Sequence, residues 1–292
     1  MKKVLIGLTA LFMTGMTLLC LCYPNQMFSM SERRKLKQFP ELSFETVISG
    51  KFMQEFEAYV ADQFPFRDQW RALKASIAVD VLGQKDNNEY YEKDGHIAKI
   101  EYPLNEASIS RATGIFQRIM AEQLAGKNCK VYYSVIPDKN YFLGEEHLQL
   151  DYNALLGQMQ QEMTGAEYID IMPYLEVADY YRTDTHWRQE RIMDVAKVLG
   201  SAMGVDVKST YETVKLEEPF YGVYYGQSAF AAEPEELYYL VNDTLKNCVV
   251  YDYQNARETT VYDMEKAYGK DAYELFLSGS ISLLEIRNEQ AK

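Results

Sequence analysis

The run Tyr181-Arg182-Thr183-Asp184-Thr185-His186-Trp187 sets a carboxylate two residues from an imidazole, in a chain with only three histidines. In Asp-x-His the carboxylate can orient one ring nitrogen and leave the other to take a proton from a nucleophile, which makes Asp184 and His186 the candidate catalytic base pair. The same residues also fit a plain polar loop in which His186 caps a helix starting near Arg188. As metal ligands they would be two, and no second histidine cluster or cysteine pair completes a set. No Gly-rich phosphate loop is present, and no cofactor or metal is expected.

Strand and helix patterns alternate around that loop. Asn105 is placed to cap a helix through Ile115, Phe116, Ile119, Met120 and Leu124, closed at Gly126. A buried strand is expected over 131–136, ending in Pro137-Asp138-Lys139-Asn140. A helix over about 152–163, a short strand over 167–171, the Asp-x-His loop and a helix over 188–203 follow. This alternation predicts an α/β sheet with flanking helices. Functional loops of such sheets gather at the carboxyl ends of strands. Asp138 and Lys139 occupy such a loop and are expected beside Asp184 and His186, as substrate-binding residues together with Trp187.

The flanking segments are simpler. Phe52, Phe56, Tyr59, Val60 and Phe64 follow helical spacing, Pro65 ends that helix, and Phe66, Trp70, Leu73 and Ile77 describe a second. Residues 25–84 therefore read as a linker with N-terminal helices, and 85–292 as the α/β domain. A hairpin is expected over 89–100 around Lys93-Asp94-Gly95, with His96 exposed on its second strand. After Val205 the texture turns to short β-like runs near 236–241, 249–253 and 259–262, a β-rich insertion in the second half. Its tyrosines, among them Tyr221, Tyr224, Tyr225, Tyr238 and Tyr239, could stack on sugar rings or simply pack strands.

The first 24 residues are a leader. Lys2 and Lys3 precede an apolar run from Val4 to Tyr23 without a charge, and a bilayer crossing needs roughly 20 such residues. The run fits a signal anchor or a signal peptide, and the absence of a small-x-small cleavage site favours an uncleaved anchor with the remainder outside the cytoplasm. A net charge of -13 and an isoelectric point near 4.8 argue against nucleic acid as a partner. Outside the leader only Cys129 and Cys248 remain. Each reads as a small hydrophobe on a strand, and sequence does not say whether they pair.

Taken in order, several motifs carry a resemblance. They are Phe64-Pro65-Phe66-Arg67-Asp68, Ile136-Pro137-Asp138-Lys139-Asn140, Thr183-Asp184-Thr185-His186-Trp187, Phe220-Tyr221-Gly222-Val223-Tyr224-Tyr225-Gly226 and Tyr273-Glu274-Leu275-Phe276-Leu277-Ser278-Gly279. With them the chain resembles the DHHW protein family, which is similar in turn to the SGNH-hydrolase-like domains of alginate O-acetylation proteins. The resemblance implies an SGNH-hydrolase-like α/β fold and O-acetyl transfer or ester hydrolysis on a cell-surface polysaccharide. By analogy it also implies a multispanning membrane O-acyltransferase as partner. Asp184 would orient His186, and His186 would serve as base for a serine.

The sequence departs from that pattern at the serine. The Asp-Ser-aromatic element that follows the Asp-x-His loop in such proteins has no counterpart between His186 and Lys292. A chain cut short at its C-terminus is the expected reason, with Leu283, Leu284 and Ile286 exposed at the edge; a diverged, inactive member is the other. Ser280, after the apolar run Leu275-Phe276-Leu277, is the in-chain candidate nucleophile, or else part of a tight turn. The rival function is a non-catalytic glycan-binding or assembly protein on the same scaffold.

Overall fold

A computed structural model describes residues 2–144, 146–208 and 210–289. The chain forms two compact units, Met1–Gln84 with Ala229–Ala231, and Lys85–Ser228 with Ala232–Lys292.

In the N-terminal unit, α1 (Lys2–Cys22) is a 21-residue helix, long and apolar enough to cross a membrane and wholly unburied. Its length is about 31 Å at 1.5 Å per residue. A hairpin of β1 (Phe28–Ser29) and β2 (Arg34–Lys35) comes next, then α2 (Phe44–Ile48), α3 (Lys51–Asp62) and α4 (Arg67–Ser76). Phe52, Phe56 and Tyr59 lie on one face of α3 and ring Phe39 at centroid distances of 5.4–6.2 Å. Asp62, the last residue of α3, would meet the negative end of the helix dipole unaided. The Arg34 guanidinium grips both its oxygens at 2.9 and 2.6 Å, the Lys37 N–H adds a third bond at 2.8 Å, and the carboxyl is held below its usual range. Glu32 pairs with Arg67 and Arg71 beside it. These bonds fasten the hairpin to the corner between α3 and α4.

The larger unit opens with β3 (Tyr90–Lys93) and β4 (His96–Lys99), antiparallel through Tyr90↔Lys99 and Lys93↔His96. Asp94 and Gly95 turn between them at φ 51° and 78°, the left-handed pair that a two-residue hairpin loop demands. His96 is not the exposed strand residue expected. Its Nδ1 is buried, and burial together with the positive charges of Lys139 and Arg182 pushes its imidazole down to about 4, so it is neutral at pH 7.

Asn105 accepts from the Ser108 N–H and caps α5 (Glu106–Ile119). The short strand β5 (Tyr132–Tyr133) precedes α6 (Tyr152–Glu162). Helices α5 and α6 are tied by Thr113 and Ser110 donating to Glu162 and by Gln117 donating to the Glu162 carbonyl. Strand β6 (Glu167–Tyr168) runs parallel to β5, with Tyr132 against Glu167. The buried strand expected over 131–136 is therefore shorter than its apolar run: only Tyr132–Tyr133 finds a partner in this pairing, and Ile136 is 62% exposed.

The last third adds α7 (Met193–Ala202), β7 (Glu212–Lys215), α8 (Val223–Ser228), β8 (Tyr238–Val241), α9 (Asp243–Lys246), β9 (Val249–Asp252), β10 (Arg257–Thr259), α10 (Met264–Ala267) and β11 (Leu284–Arg287). Strand β7 pairs with β8, and β10, β9 and β11 form a three-stranded antiparallel sheet with β11 at one edge. Leu283 and Ile286 are exposed there. The whole is a mixed α/β fold, with five small sheets among the described residues in place of one broad sheet. Its largest described core joins Tyr181, Leu216, Phe220, Leu237, Ala267 and Leu275. Cys248 is buried and Cys129 exposed, and neither is in a disulfide.

Candidate functional site

Tyr180 and Trp187 face each other in an antiparallel bridge, and the Tyr181 N–H donates to the His186 carbonyl at 3.1 Å. The residues between them are thereby folded into a tight loop. Within it the Asp184 carboxylate turns back on the chain: Oδ1 accepts from the His186 N–H at 3.0 Å, as Asp side chains do two residues on in turns. The same Oδ1 lies 2.5 Å from His186 Nδ1. Two-residue spacing thus brings carboxylate to both the backbone and the ring of one histidine.

Electrostatics follow from depth. Asp184 is wholly buried while the His186 side chain is 46% exposed. Burial alone would disfavour the carboxylate, yet hydrogen bonds from the His186 ring, the Val223 N–H and the His186 N–H outweigh it and hold the carboxyl below its ordinary range. An ionised carboxylate accepts only, so Nδ1 carries the proton and Nε2 is left basic. Among the described residues no serine hydroxyl or cysteine thiol bonds to Nε2. Tyr273 stacks on the imidazole at 3.9 Å and 16°, which fixes the ring plane. Such a pair can take a proton at Nε2, hold it on the imidazolium, and return it.

Three groups hold the loop. Lys139 sends its ammonium from beneath to the carbonyls of Tyr181, Arg182 and Asp184 at 2.8, 2.9 and 2.8 Å. Burial pushes its amine down to about 8, against the pull of Asp138, Glu235 and Asp184, and the three converging carbonyls match the three hydrogens of the ammonium form. Glu235 accepts from the N–H groups of Arg182 and Thr183 at 2.5 and 2.7 Å and from the Thr183 hydroxyl at 2.6 Å. The third group is the start of α8, whose amides close over Thr183 and Asp184: Gly222 N–H to Thr183 Oγ1 at 2.8 Å, Val223 N–H to Asp184 Oδ2 at 2.7 Å, and Tyr224 N–H to the Thr183 carbonyl at 3.0 Å.

That approach is possible only because residue 222 has no Cβ. One built there would stand 2.3 Å from both the Asp184 Cβ and the Thr183 carbonyl oxygen, neither of which can swing away. Gly222→Ala is expected to cost about 3 kcal/mol, at the upper end of overpacking penalties, and to push Asp184 off His186. A thermal unfolding midpoint equal to the parent's would show that the loop can move aside freely.

The remaining residues singled out from sequence fall as follows. Asp138 does lie beside the loop, but facing inward. Its N–H donates to the Tyr152 hydroxyl at 2.8 Å, Oδ1 accepts from the Asn140 N–H at 2.9 Å, and Oδ2 accepts from the Tyr224 hydroxyl at 3.2 Å; burial pushes its carboxyl up. Lys139 is 0% exposed, so its expected role of meeting substrate gives way to one of positioning the loop. Trp187 packs against the core of Ile169, Ile171, Leu175 and Val195. Nor does His186 cap a helix: the 3-10 turn Gln189–Arg191 has Arg188 at its N-cap without a side-chain cap bond, and α7 follows from Met193 with Ile192 at its N-cap.

Ser280 is exposed, and no hydrogen bond joins it to His186. It follows a tight turn in which Leu277, Ser278 and Gly279 all have positive φ, and the Ser278 hydroxyl donates to Asp263 at 2.7 Å. Sequence reasoning missed Glu235, which carries no local signal. It passed over Gly222 and Tyr273, although both stand inside motifs already noted.

No family model matches the chain, and no curated protein does. Solved structures do. A DHHW family protein from Eubacterium siraeum DSM 15702 is similar with a TM-score of 0.57 at 21% identity, over 71% of this chain and 73% of that one. PatB1 of Bacillus cereus is similar with a TM-score of 0.51 at 15% identity, over 70% of this chain and 76% of that one. The same protein with a sulfonyl adduct gives 0.52 at 16%, over 70% and 75%. At these identities the likeness is one of fold.

Proposed function

We propose that Asp184 and His186 are the base pair of an extracytoplasmic centre for O-acetyl or other acyl transfer, or ester hydrolysis, on a cell-surface polysaccharide. The scaffold would be an SGNH-hydrolase-like domain over 85–292, behind a leader over 1–24 and a helical linker over 25–84. The observation that carries this reading is the 2.5 Å contact between a half-exposed imidazole and a fully buried carboxylate whose other oxygen is held by the Val223 N–H. Such an arrangement keeps the proton on Nδ1 and the base on Nε2. A solved neighbour bearing a sulfonyl adduct lends support, since sulfonyl groups are captured by activated nucleophiles.

In the reaction a serine oxygen, which no described residue presents to Nε2, would attack the acyl carbon while Nε2 takes its proton. The imidazolium, stabilised by Asp184, then protonates the departing sugar oxygen, which leaves as a hydroxyl. Water or a second sugar hydroxyl accepts the acyl group in the return half. A membrane acyltransferase would be the natural donor in the transfer direction, by analogy with alginate-type systems.

The test is turnover of a small acetyl ester and of an acetylated glycan by the chain and by its His186→Ala and Ser280→Ala variants. Turnover that falls to background in His186→Ala supports the base pair. An equal fall in Ser280→Ala makes Ser280 the nucleophile, and no change there assigns that role to another group. Turnover indifferent to His186 sinks the proposal. The second reading, a glycan-binding scaffold, is favoured by the lack of any bond between Ser280 and His186. It wins if the chain binds acetylated glycan, turns nothing over, and binds as well without the His186 ring.

A further inference from the structure

The residues that follow α1 do not trail from it. Tyr59 donates to the Asn25 side chain at 3.0 Å, and the Gln26 N–H donates to Gln63 Oε1 at 2.8 Å. Gln63 Nε2 returns bonds to the carbonyls of Gln26 and Lys37, both at 2.9 Å. Tyr23 lies against Phe66 at 6.1 Å between ring centroids. The end of α1 is thus clasped to the corner Gln63-Phe64-Pro65-Phe66 that joins α3 to α4. A cavity of about 250 Å³ opens at this junction, lined among others by Tyr23, Gln26, Met30, Phe64 and Phe66.

That corner is costly as a water-facing surface. Met27 is 70% exposed, Met30 56%, Phe66 50% and Trp70, one turn further on, 40%. Phe66 has a φ of 58°, a left-handed conformation that costs an aromatic L-residue roughly 1–2 kcal/mol. The strain holds a half-exposed ring next to Tyr23. Helix α1 is about 31 Å long, matching a hydrocarbon core of about 30 Å, so Tyr23 falls at its boundary. Aromatic rings and methionines at that depth rest between acyl chains and headgroups. Lys35 and Lys37, exposed on the same hairpin, suit lipid phosphates.

We propose that Met27, Met30, Phe66 and Trp70, exposed on the segments that follow Tyr23 and on the corner it packs against, form a foot seated in the headgroup layer of the bilayer that α1 crosses. The occupant of this apolar surface is the lipid itself, because the surface continues directly from the membrane helix. The proposal rests on reading α1 as a retained anchor.

The chain has two tryptophans, Trp70 and Trp187. The experiment reconstitutes the full chain and its Trp70→Phe variant into vesicles of three parts phosphatidylcholine to one part phosphatidylglycerol, with and without lipids brominated near the top of the acyl chains. The expected result is loss of most of the Trp70 emission in brominated vesicles, seen as quenching in the parent that disappears in Trp70→Phe. An alkaline wash and sedimentation report the anchor separately. Protein that stays with the vesicles while Trp70 remains unquenched overturns the foot and leaves the anchor standing. Protein that washes off overturns both.

Discussion

Asp184→Asn is expected to lower turnover of an acyl ester by about 10⁴-fold, the loss seen when the orienting carboxylate of a catalytic triad is replaced by its amide. Three donors meet the Asp184 carboxylate: the His186 ring and N–H on Oδ1, and the Val223 N–H on Oδ2. An amide has one oxygen to offer. Turned toward Val223, it aims its NH₂ at Nδ1 and forces the proton onto Nε2, the wrong tautomer for a base. Turned toward His186, it sets NH₂ against the Val223 N–H in a buried site, a mismatch costing about 1–3 kcal/mol. Either way the base is lost or the loop is strained. The ring-nitrogen shifts of His186 in NMR would tell which, and a parent-like tautomer with parent-like turnover would defeat the argument.

The acid limit follows from the same carboxyl. Its value in the fold lies below that in the unfolded chain, so its contribution to stability is full above the unfolded value of about 3.9 and fades as pH falls through the folded one. The stability gap between the parent and Asp184→Asn should therefore begin to narrow below about pH 4 and go on narrowing as pH falls through the folded value.

Much of this could be read from local spacing. Asp184 reaches His186 because a carboxylate two residues ahead folds onto its own chain, and Asp94-Gly95 turns a hairpin for reasons held in two residues. Phe52, Phe56 and Tyr59 announced a helix by their period. What failed was whatever depended on distant partners. A continuous helix was expected from Arg188, but the Arg188 N–H is bonded to the Asp179 carbonyl at 2.7 Å and Arg191 is gripped by Asp179 and Glu176, so the first turn, Gln189–Arg191, is 3-10 and α7 starts only at Met193. The run over 131–136 has the composition of a buried strand, yet β6 offers it only two residues of pairing. Lys139 was expected to meet substrate, and a lysine is almost never fully buried without partners. Its partners are carbonyls 42 to 45 residues away, which no local pattern encodes.

Those carbonyls make Lys139→Met the second large effect, this time on the fold. An ammonium has three hydrogens and here meets three acceptors, with Asp138, Glu235 and Asp184 adding favourable charge and the Tyr224 ring 5.1 Å from Nζ. Methionine fills similar space but leaves three buried carbonyls and nearby carboxylates uncompensated, and breaking such a buried charge arrangement costs about 3–5 kcal/mol. For a unit of this size that lowers the unfolding midpoint by roughly 10 °C or more. Lys139→Arg should not rescue it, since a flat guanidinium fork cannot point three donors at one converging set of oxygens. A calorimetric scan decides the matter. A midpoint within a degree or two of the parent's would mean that Glu235 and the start of α8 suffice to hold Asp184 and His186, with Lys139 a passenger beneath them.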